Sequence, residues 1–300
     1  MDRTVKVVKV LKASMPQVDR VRLTVLAEDT VRKKRSPDLK AKHGLSLLVE
    51  ATMPSAGLRV LMDAGPPPNV ALRNATAMRA RVGELDAIVI SHGHYDHIGG
   101  LLQILKRNSR PVPVIAHPKV FDPKFAYKPS LQFIGPDFDQ PSVKAAGGIL
   151  VLASNPVMIA AGVTTSGEIA RETTFEKTEG FWTVEGNRFV QDSMSDEQAL
   201  LINAKDKGLI VITGCAHSGI INTLKQARKI SSVDNVFAIV GGLHLDKASD
   251  TRIRETVDEL SRINPTTIYA CHCTGSKVID RLRELRRDCR RIQTGDTFEL

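Results

Sequence analysis

Ser91-His92-Gly93-His94-Tyr95-Asp96-His97-Ile98-Gly99-Gly100 is the stretch whose reading decides the fold. Upstream, Leu85-Asp86-Ala87-Ile88-Val89-Ile90 is a short β-branched run of the kind that forms a buried strand, and downstream Ile98 to Leu105 has the composition of a helix. The stretch is therefore predicted to be a strand-to-helix loop. On an extended segment His92 and His94 point to one side, while Asp96 and His97 fall at the helix entrance and turn toward the same space. Neutral imidazole nitrogens and a carboxylate are what zinc, iron or manganese accept, and a two-plus-two split of these side chains suits two adjacent ions. The alternative is a polar, solvated loop, which leaves the crowding of ligand-type residues unexplained.

The rest of the composition bounds what such a loop serves. At 300 residues the chain is long enough to bury a substantial core, as one large domain or two small ones. Its most apolar windows, such as Ile149-Leu150-Val151-Leu152-Ala153, are broken well short of a bilayer span, so no membrane crossing is expected. Met1 to Val10 alternates charged and apolar residues as a strand would and lacks the apolar core of a signal peptide, which makes the cytoplasm the expected location. Four cysteines, Cys215, Cys271, Cys273 and Cys289, are too few for a disulfide scaffold and are expected to be reduced. A net charge of +9 suits a polyanion, a phosphorylated small substrate or simple solubility. The run Arg32-Lys33-Lys34-Arg35 reads as a solvated loop, since no interleaved aromatics offer a stacking platform for nucleic acid.

Taken in order, the chain opens β-rich. Val21 to Leu26 reads as a strand, and His43 to Glu50 and Leu58 to Asp63 read as a hairpin turning around Pro54-Ser55-Ala56-Gly57. Asp63-Ala64-Gly65 ends it, and Pro66-Pro67-Pro68 forces an extended exit before a helix over 69–82. His117 closes the strand-like run from Val112 and has no second ligand beside it, which favours a structural role. The pattern weakens from Phe121, and the interval 121–175 is expected to form a cap or insertion near the site. From Leu209 a unit recurs three times: an apolar strand, a loop carrying a histidine, then a helix. His217, His244 and His272 are thereby delivered to one edge of one sheet, where ligands gather in layered α/β structures. His217 and His272 are the first choices to complete a metal site, with His244 close behind. If His272 faces the site, strand alternation turns Cys271 and Cys273 away from it as packing residues. No composition break divides the chain, so a single domain over 1–300 is expected, and periodicity alone gives mixed α/β.

The pattern His-x-His-x-Asp-His, as His92, His94, Asp96 and His97, resembles the metallo-β-lactamase superfamily. The resemblance implies an α/β fold, a four-layer αββα sandwich, with one or two divalent ions, zinc first and manganese or iron as alternatives. The ligands it implies are His92, His94, Asp96, His97, His217 and His272. Asp63 resembles the superfamily's first motif, whose carboxylate supports the metal loop; by itself it also fits an ordinary turn residue. Where the superfamily usually places a bridging aspartate after a glycine, this chain has Gly214-Cys215, whose thiolate could still bind metal. The segments His43-Gly44-Leu45-Ser46, Gly167-Glu168-Ile169-Ala170-Arg171, Asp196-Glu197-Gln198-Ala199-Leu200, Gly214 to Gly219, Gly241 to Leu245 and His272-Cys273-Thr274-Gly275 are together similar to one branch of it. That branch is the dihydropteroate-synthase-like group of the 7,8-dihydropterin-6-methyl-4-(β-D-ribofuranosyl)aminobenzene 5′-phosphate synthase, of methanopterin biosynthesis. The resemblance implies transfer of a dihydropterin methyl group from pyrophosphate to an arylamine, with Glu168 and Arg171 holding the phosphorylated small-molecule substrate. A hydrolase of a phosphoester, ester or lactone is the second reading, in which Asp96 orients a metal-bound hydroxide. A nucleic-acid-binding protein with a structural metal is the third. A homo-oligomer is left open.

Overall fold

Alternation along the strands decides the layering. Along Ser46–Met53, Leu47, Val49 and Ala51 point into one apolar cluster and Leu48 into another. Along Gly208–Ile212, Ile210 and Ile212 enter the first of these clusters, whereas Leu209 and Val211 enter a third. Strands buried on both faces need cover on both, and the cover here is a second sheet on one side and helices on the other. The computed structural model describes residues 14–31, 38–54, 56–127, 129–285 and 288–300. The strand expected within 1–10 and the basic run Arg32-Lys33-Lys34-Arg35 lie outside them.

The first sheet runs Thr297–Glu299, Arg20–Ala27, Ser46–Met53, Ala56–Met62, Ala87–Val89, Val112–Ala116, Gly148–Leu152 in spatial order. Its first three pairings are antiparallel and its last three parallel. The second sheet runs Cys289–Arg291, Thr267–Ala270, Val236–Gly241, Gly208–Ile212, Leu200–Ala204, Val163–Thr165, Met158–Ala160, parallel for three pairings and then antiparallel. Val21, Leu23 and Val60 of the first sheet meet Ile202, Ile212 and Val240 of the second in the central core. Helices Val70–Met78 and Leu101–Arg107 cover the outside of the first sheet. Ile220–Ser231, Asp250–Ile263 and Ser276–Leu285 cover the outside of the second. The result is the expected α-β-β-α sandwich. Among the described residues no helix is long and apolar enough to cross a membrane.

The interval 121–175 divides among all the sheets. Gly148–Leu152 is the edge of the first and Met158–Ala160 the edge of the second. Lys124–Tyr127 and Leu131–Phe133 join Phe181–Glu185 and Arg188–Gln191 in a separate four-stranded antiparallel sheet. That small sheet stands beside the metal-type loop: Tyr95 N donates to the Ile134 carbonyl at 2.8 Å.

Candidate metal centre

Ligand-type residues follow the ends of strands that run the same way. Asp63 follows Ala56–Met62, the loop 91–97 follows Ala87–Val89, and Glu28 and Asp29 follow Arg20–Ala27, which is parallel to Ala56–Met62 because both are antiparallel to the strand between them. In the second sheet, Cys215 and His217 follow Gly208–Ile212, His244 follows Val236–Gly241, and His272 follows Thr267–Ala270. Four of these loops turn through the left-handed region at residues other than glycine, with φ of 60° at Asp63, 59° at Ala216, 47° at His244 and 51° at His272. Such positions cost of order 1–3 kcal/mol and persist where the surroundings over-determine them. At Gly93 the constraint is space: a Cβ there would lie 2.1 Å from the Val120 carbonyl oxygen.

Two clusters of donor atoms result. In the first, one ligand atom each from His92, His94 and His217 lies within 4.8 Å of the others. His92 Nε2 and His94 Nδ1 are 3.0 Å apart. His94 Nε2 and both ring nitrogens of His217 are buried with no hydrogen-bond partner, a costly state for polar atoms that a bound cation would relieve at the nitrogens facing it. Burial holds all three imidazoles well below the ordinary histidine range, and neighbouring imidazoles add to this. They are neutral at pH 7, the form that binds metal. The loops are fixed from behind. Glu197 accepts from His217 N at 2.6 Å and Ser218 N at 2.5 Å, and Thr178 Oγ1 donates to the His217 carbonyl at 2.6 Å. Asp196 accepts from Gly93 N at 2.8 Å and is itself paired, like Asp192, with Lys124 Nζ at 3.0 Å. Lys124 is only 2% exposed.

The second cluster contains Asp96, His97, His272 and Cys215. His97 Nε2 lies 3.3 Å from His272 Nε2 and 3.1 Å from Cys215 Sγ, and Asp96 Oδ2 lies 3.7 and 3.5 Å from the two histidine nitrogens. Each histidine has its other nitrogen on a carboxylate, His97 Nδ1 on Asp63 at 2.7 Å and His272 Nδ1 on Asp29 at 2.7 Å. Burial alone would lower both. Asp63 and Asp96 reverse the sign for His97, and Asp29 with Asp96 lifts His272 well above its ordinary value. Asp63 also accepts from Ser91 N and Ser91 Oγ, both at 2.7 Å, and Ser91 Oγ is 2.9 Å from His92 Nδ1, so one buried carboxylate braces both clusters. Cys215 is shared: its sulfur groups with His92 and His97, with His272 and Cys273, and with His217 and His244. Burial and the adjacent Cys273 push its thiol up, which a coordinated cation would reverse.

The six expected ligands therefore come together, with Cys215 between them and the His244 ring 4.1 Å from that of His217. His117 sits apart, its Nδ1 accepting from Lys119 N at 3.2 Å. Cys271 faces the central core as expected, but Cys273 does not turn away. His272–Thr274 is a turn of 3₁₀ helix, not extended strand, so alternation fails and Cys273 lines the cavity over the clusters. Glu168 and Arg171, expected to hold substrate, are not among the lining residues. Glu168 stands 3.6 Å from His117, and Arg171 donates to the carbonyls of His217 and Ser193. The cavity is about 870 Å³ and is walled by Tyr127, Ile134 and Phe181 of the small-sheet region, together with Lys247 from the loop after Val236–Gly241 and Arg252 from the first turn of the helix Asp250–Ile263. Sequence reasoning missed Asp29, Glu197 and the Lys124 pair. His43, which nothing local marks as a site residue, also joins the site: its Nε2 is 3.2 Å from Asp96 and its Nδ1 3.0 Å from Asp29.

Comparison with known proteins agrees with this geometry. Residues 58–141 match the beta-lactamase superfamily domain. The chain is 34% identical over 286 residues to the 7,8-dihydropterin-6-methyl-4-(β-D-ribofuranosyl)-aminobenzene-5′-phosphate synthase of Methanocaldococcus jannaschii, covering 93% of this chain and 96% of that one. An uncharacterized protein of the same organism is 32% identical over 88% of this chain and 94% of its own length. Among solved structures, a metal-dependent hydrolase of the beta-lactamase superfamily superposes with TM-score 0.76 at 28% identity, covering 93% of this chain and 99% of its own. Zinc-bound PqqB from Methylobacterium extorquens shares the fold, with TM-score 0.52 at 13% identity over 93% of this chain and all of that one. The chain belongs to the metallo-β-lactamase superfamily and, within it, to the family of the dihydropterin-ribofuranosylaminobenzene phosphate synthase.

Proposed function

We propose that the chain is a metal-dependent, single-domain cytoplasmic enzyme that joins a dihydropterin methyl pyrophosphate to the amine of ribofuranosylaminobenzene phosphate. The observation that carries this is the full-length relationship to the named synthase, with 93% of this chain aligned at 34% identity. In the reaction a new C–N bond replaces the C–O bond to pyrophosphate, which leaves with the electron pair while the amine gives up a proton. His92, His94 and His217 would hold one ion and Asp96, His97 and His272 a second, with Cys215 between them. Zinc suits this donor set, and manganese or iron would be accepted by it. Bound there, divalent ions neutralise the charge developing on the departing pyrophosphate. The chain's own residues do the rest. Asp63 and Asp29 fix the ring orientation of His97 and His272. Phe181, whose ring is 4.9 Å from that of His217 and 5.1 Å from that of His94, keeps water off the reacting carbon so that the amine is the acceptor.

A second reading has an observation of its own: the solved structure with TM-score 0.76 is described as a metal-dependent hydrolase. The two readings share ligands and differ in the acceptor. The synthase reading expects pyrophosphate release only when both substrates are present. It also expects chelation to abolish turnover, divalent ions to restore it, and His94→Ala to cost at least about a thousandfold. Release of pyrophosphate or of phosphate without the arylamine favours the hydrolase. Undiminished turnover after exhaustive removal of divalent ions refutes both.

A further inference from the structure

Arg252, in the first turn of the helix Asp250–Ile263, lines the same cavity as His94, His217 and His244. Its Nη1 donates to the Lys177 carbonyl at 2.8 Å, whereas its Nε and Nη2 are closed off from solvent and have no partner. Nε and Nη2 share one edge of the guanidinium, the edge that grips two oxygens of a carboxylate or phosphate. The carboxylates whose charge Arg252 feels are Glu176 and Glu197. Both are committed elsewhere: Glu176 accepts from Ile221 N, Asn222 N and Thr173 Oγ1, and Glu197 from His217 N and Ser218 N. A permanently charged fork thus stands half-buried in a cavity wall with its Nε–Nη2 edge unpaired. Lys177 and Lys247 line that cavity too, exposed where Arg252 is half-buried. Of the acids in the lining, Asp29 and Asp96 are held by His43 and His272, while Glu179 and Asp246 are exposed.

We propose that Arg252, assisted by Lys177 and Lys247, forms a phosphate subsite separate from the metal ligands, which takes a terminal phosphomonoester of the substrate. Arg252 then positions the substrate and does not act on the reacting bond. The subsite rests on the proposed function only for which phosphomonoester it takes, the ribose 5′-phosphate of the arylamine. The metal ligands are left for the pyrophosphate of the other substrate, so the two anions have separate sites and the reacting carbon and nitrogen lie between them.

Calorimetry of the metal-loaded protein with ribose 5-phosphate and with ribose tests this directly. The expected result is binding of the phosphate ester alone, weakened on the order of tenfold to a hundredfold by Arg252→Gln at unchanged metal content and melting temperature. Arg252→Lys, which keeps the charge and loses the fork, should weaken it less, and it carries the test if the glutamine variant does not fold. With the paired substrates, Arg252→Gln should raise KM for the phosphorylated arylamine, leave kcat in place, and have no effect with the dephosphorylated arylamine. Equal ribose 5-phosphate affinity in the wild type and both variants overturns the subsite, as does failure of the wild type to bind it. Arg252-dependent binding in a protein that makes no coupled product upholds the subsite and overturns the synthase reading alone.

Discussion

The two donor clusters use the same residue type and hold it in opposite ways. His92, His94 and His217 are held mainly through the backbone, by Asp196 on Gly93 N and Glu197 on His217 N, with Ser91 Oγ against the His92 ring, and their imidazoles stay neutral. His97 and His272 are positioned through their own rings by Asp63 and Asp29, and those carboxylates, with Asp96, favour the protonated rings when no cation is bound. The first cluster is therefore ready for a cation as folded, whereas the second exchanges protons for one. Affinity at the second should fall faster with acid. Beyond the Asp63 that both share, the difference says what each cluster depends on: one on the small sheet and its buried ion pairs, the other on the end of Arg20–Ala27.

The largest expected effect follows from that first dependence. Lys124→Met leaves Asp192 and Asp196 buried and facing each other without their shared cation. Breaking a buried pair in this way costs about 3–5 kcal/mol, to be read by denaturant unfolding. If Asp196 is what holds Gly93, metal titration of the variant should show the first cluster emptied before the second. Equal weakening of both would mean that the small sheet supports the whole cavity and not one side of it.

Asp29→Asn is the matching test of the second cluster and should be milder. An amide still fills the space but pairs less well with His272 Nδ1 and His43 Nδ1, and loss of such an outer partner typically costs 10–100-fold in metal affinity or activity. The loss should fall on the second ion alone. Weakening of the first to the same degree would show that the clusters bind as one unit, with Cys215 as the link.

Most of this division was out of reach of the sequence for a physical reason. His92, His94, Asp96 and His97 are legible because a strand, a loop and a helix place them locally, and His217 and His272 because the same unit recurs. The layered fold follows from apolar runs buried on both faces together with the resemblance. Asp29, by contrast, meets His272 across 243 residues of chain, and no local period announces such a pair. Lys124 and Asp196 are 72 residues apart; Lys124 opens a four-residue strand directly after Pro123, where alternation carries little signal, and Asp196 lies in a turn between strands, where there is none to read. Alternation misplaces Cys273 because the strand ends at Ala270, so the rule does not extend over Cys271 to Cys273, and a turn there swings the sulfur back into the cavity. Glu168 and Arg171 sit in a charged segment without a period, and nothing local announces their contacts with His117, His217 and Ser193.

The smallest effect is also the sharpest discriminator, because its sign differs between the clusters. Imidazoles of an unfolded chain titrate near 6.5. In the metal-free protein, His92, His94 and His217 are depressed below that value, so as the pH falls through about 6.5 the unfolded chain takes up protons that the folded chain refuses, and stability is lost on the acid side. His97 and His272 are raised, so their contribution is complete below about 6.5 and is lost as the pH climbs through their folded values, on the alkaline side. In the chelated protein, His94→Gln should flatten the acid limb of melting temperature against pH, and His272→Gln the alkaline limb. When metal is restored the alkaline limb should shrink and the acid limb steepen, since coordinated imidazoles all refuse the protons that the unfolded chain takes up. Two variants that altered the same limb would show that the protons are shared across Cys215, and that the division into a neutral and a proton-holding cluster does not describe this site.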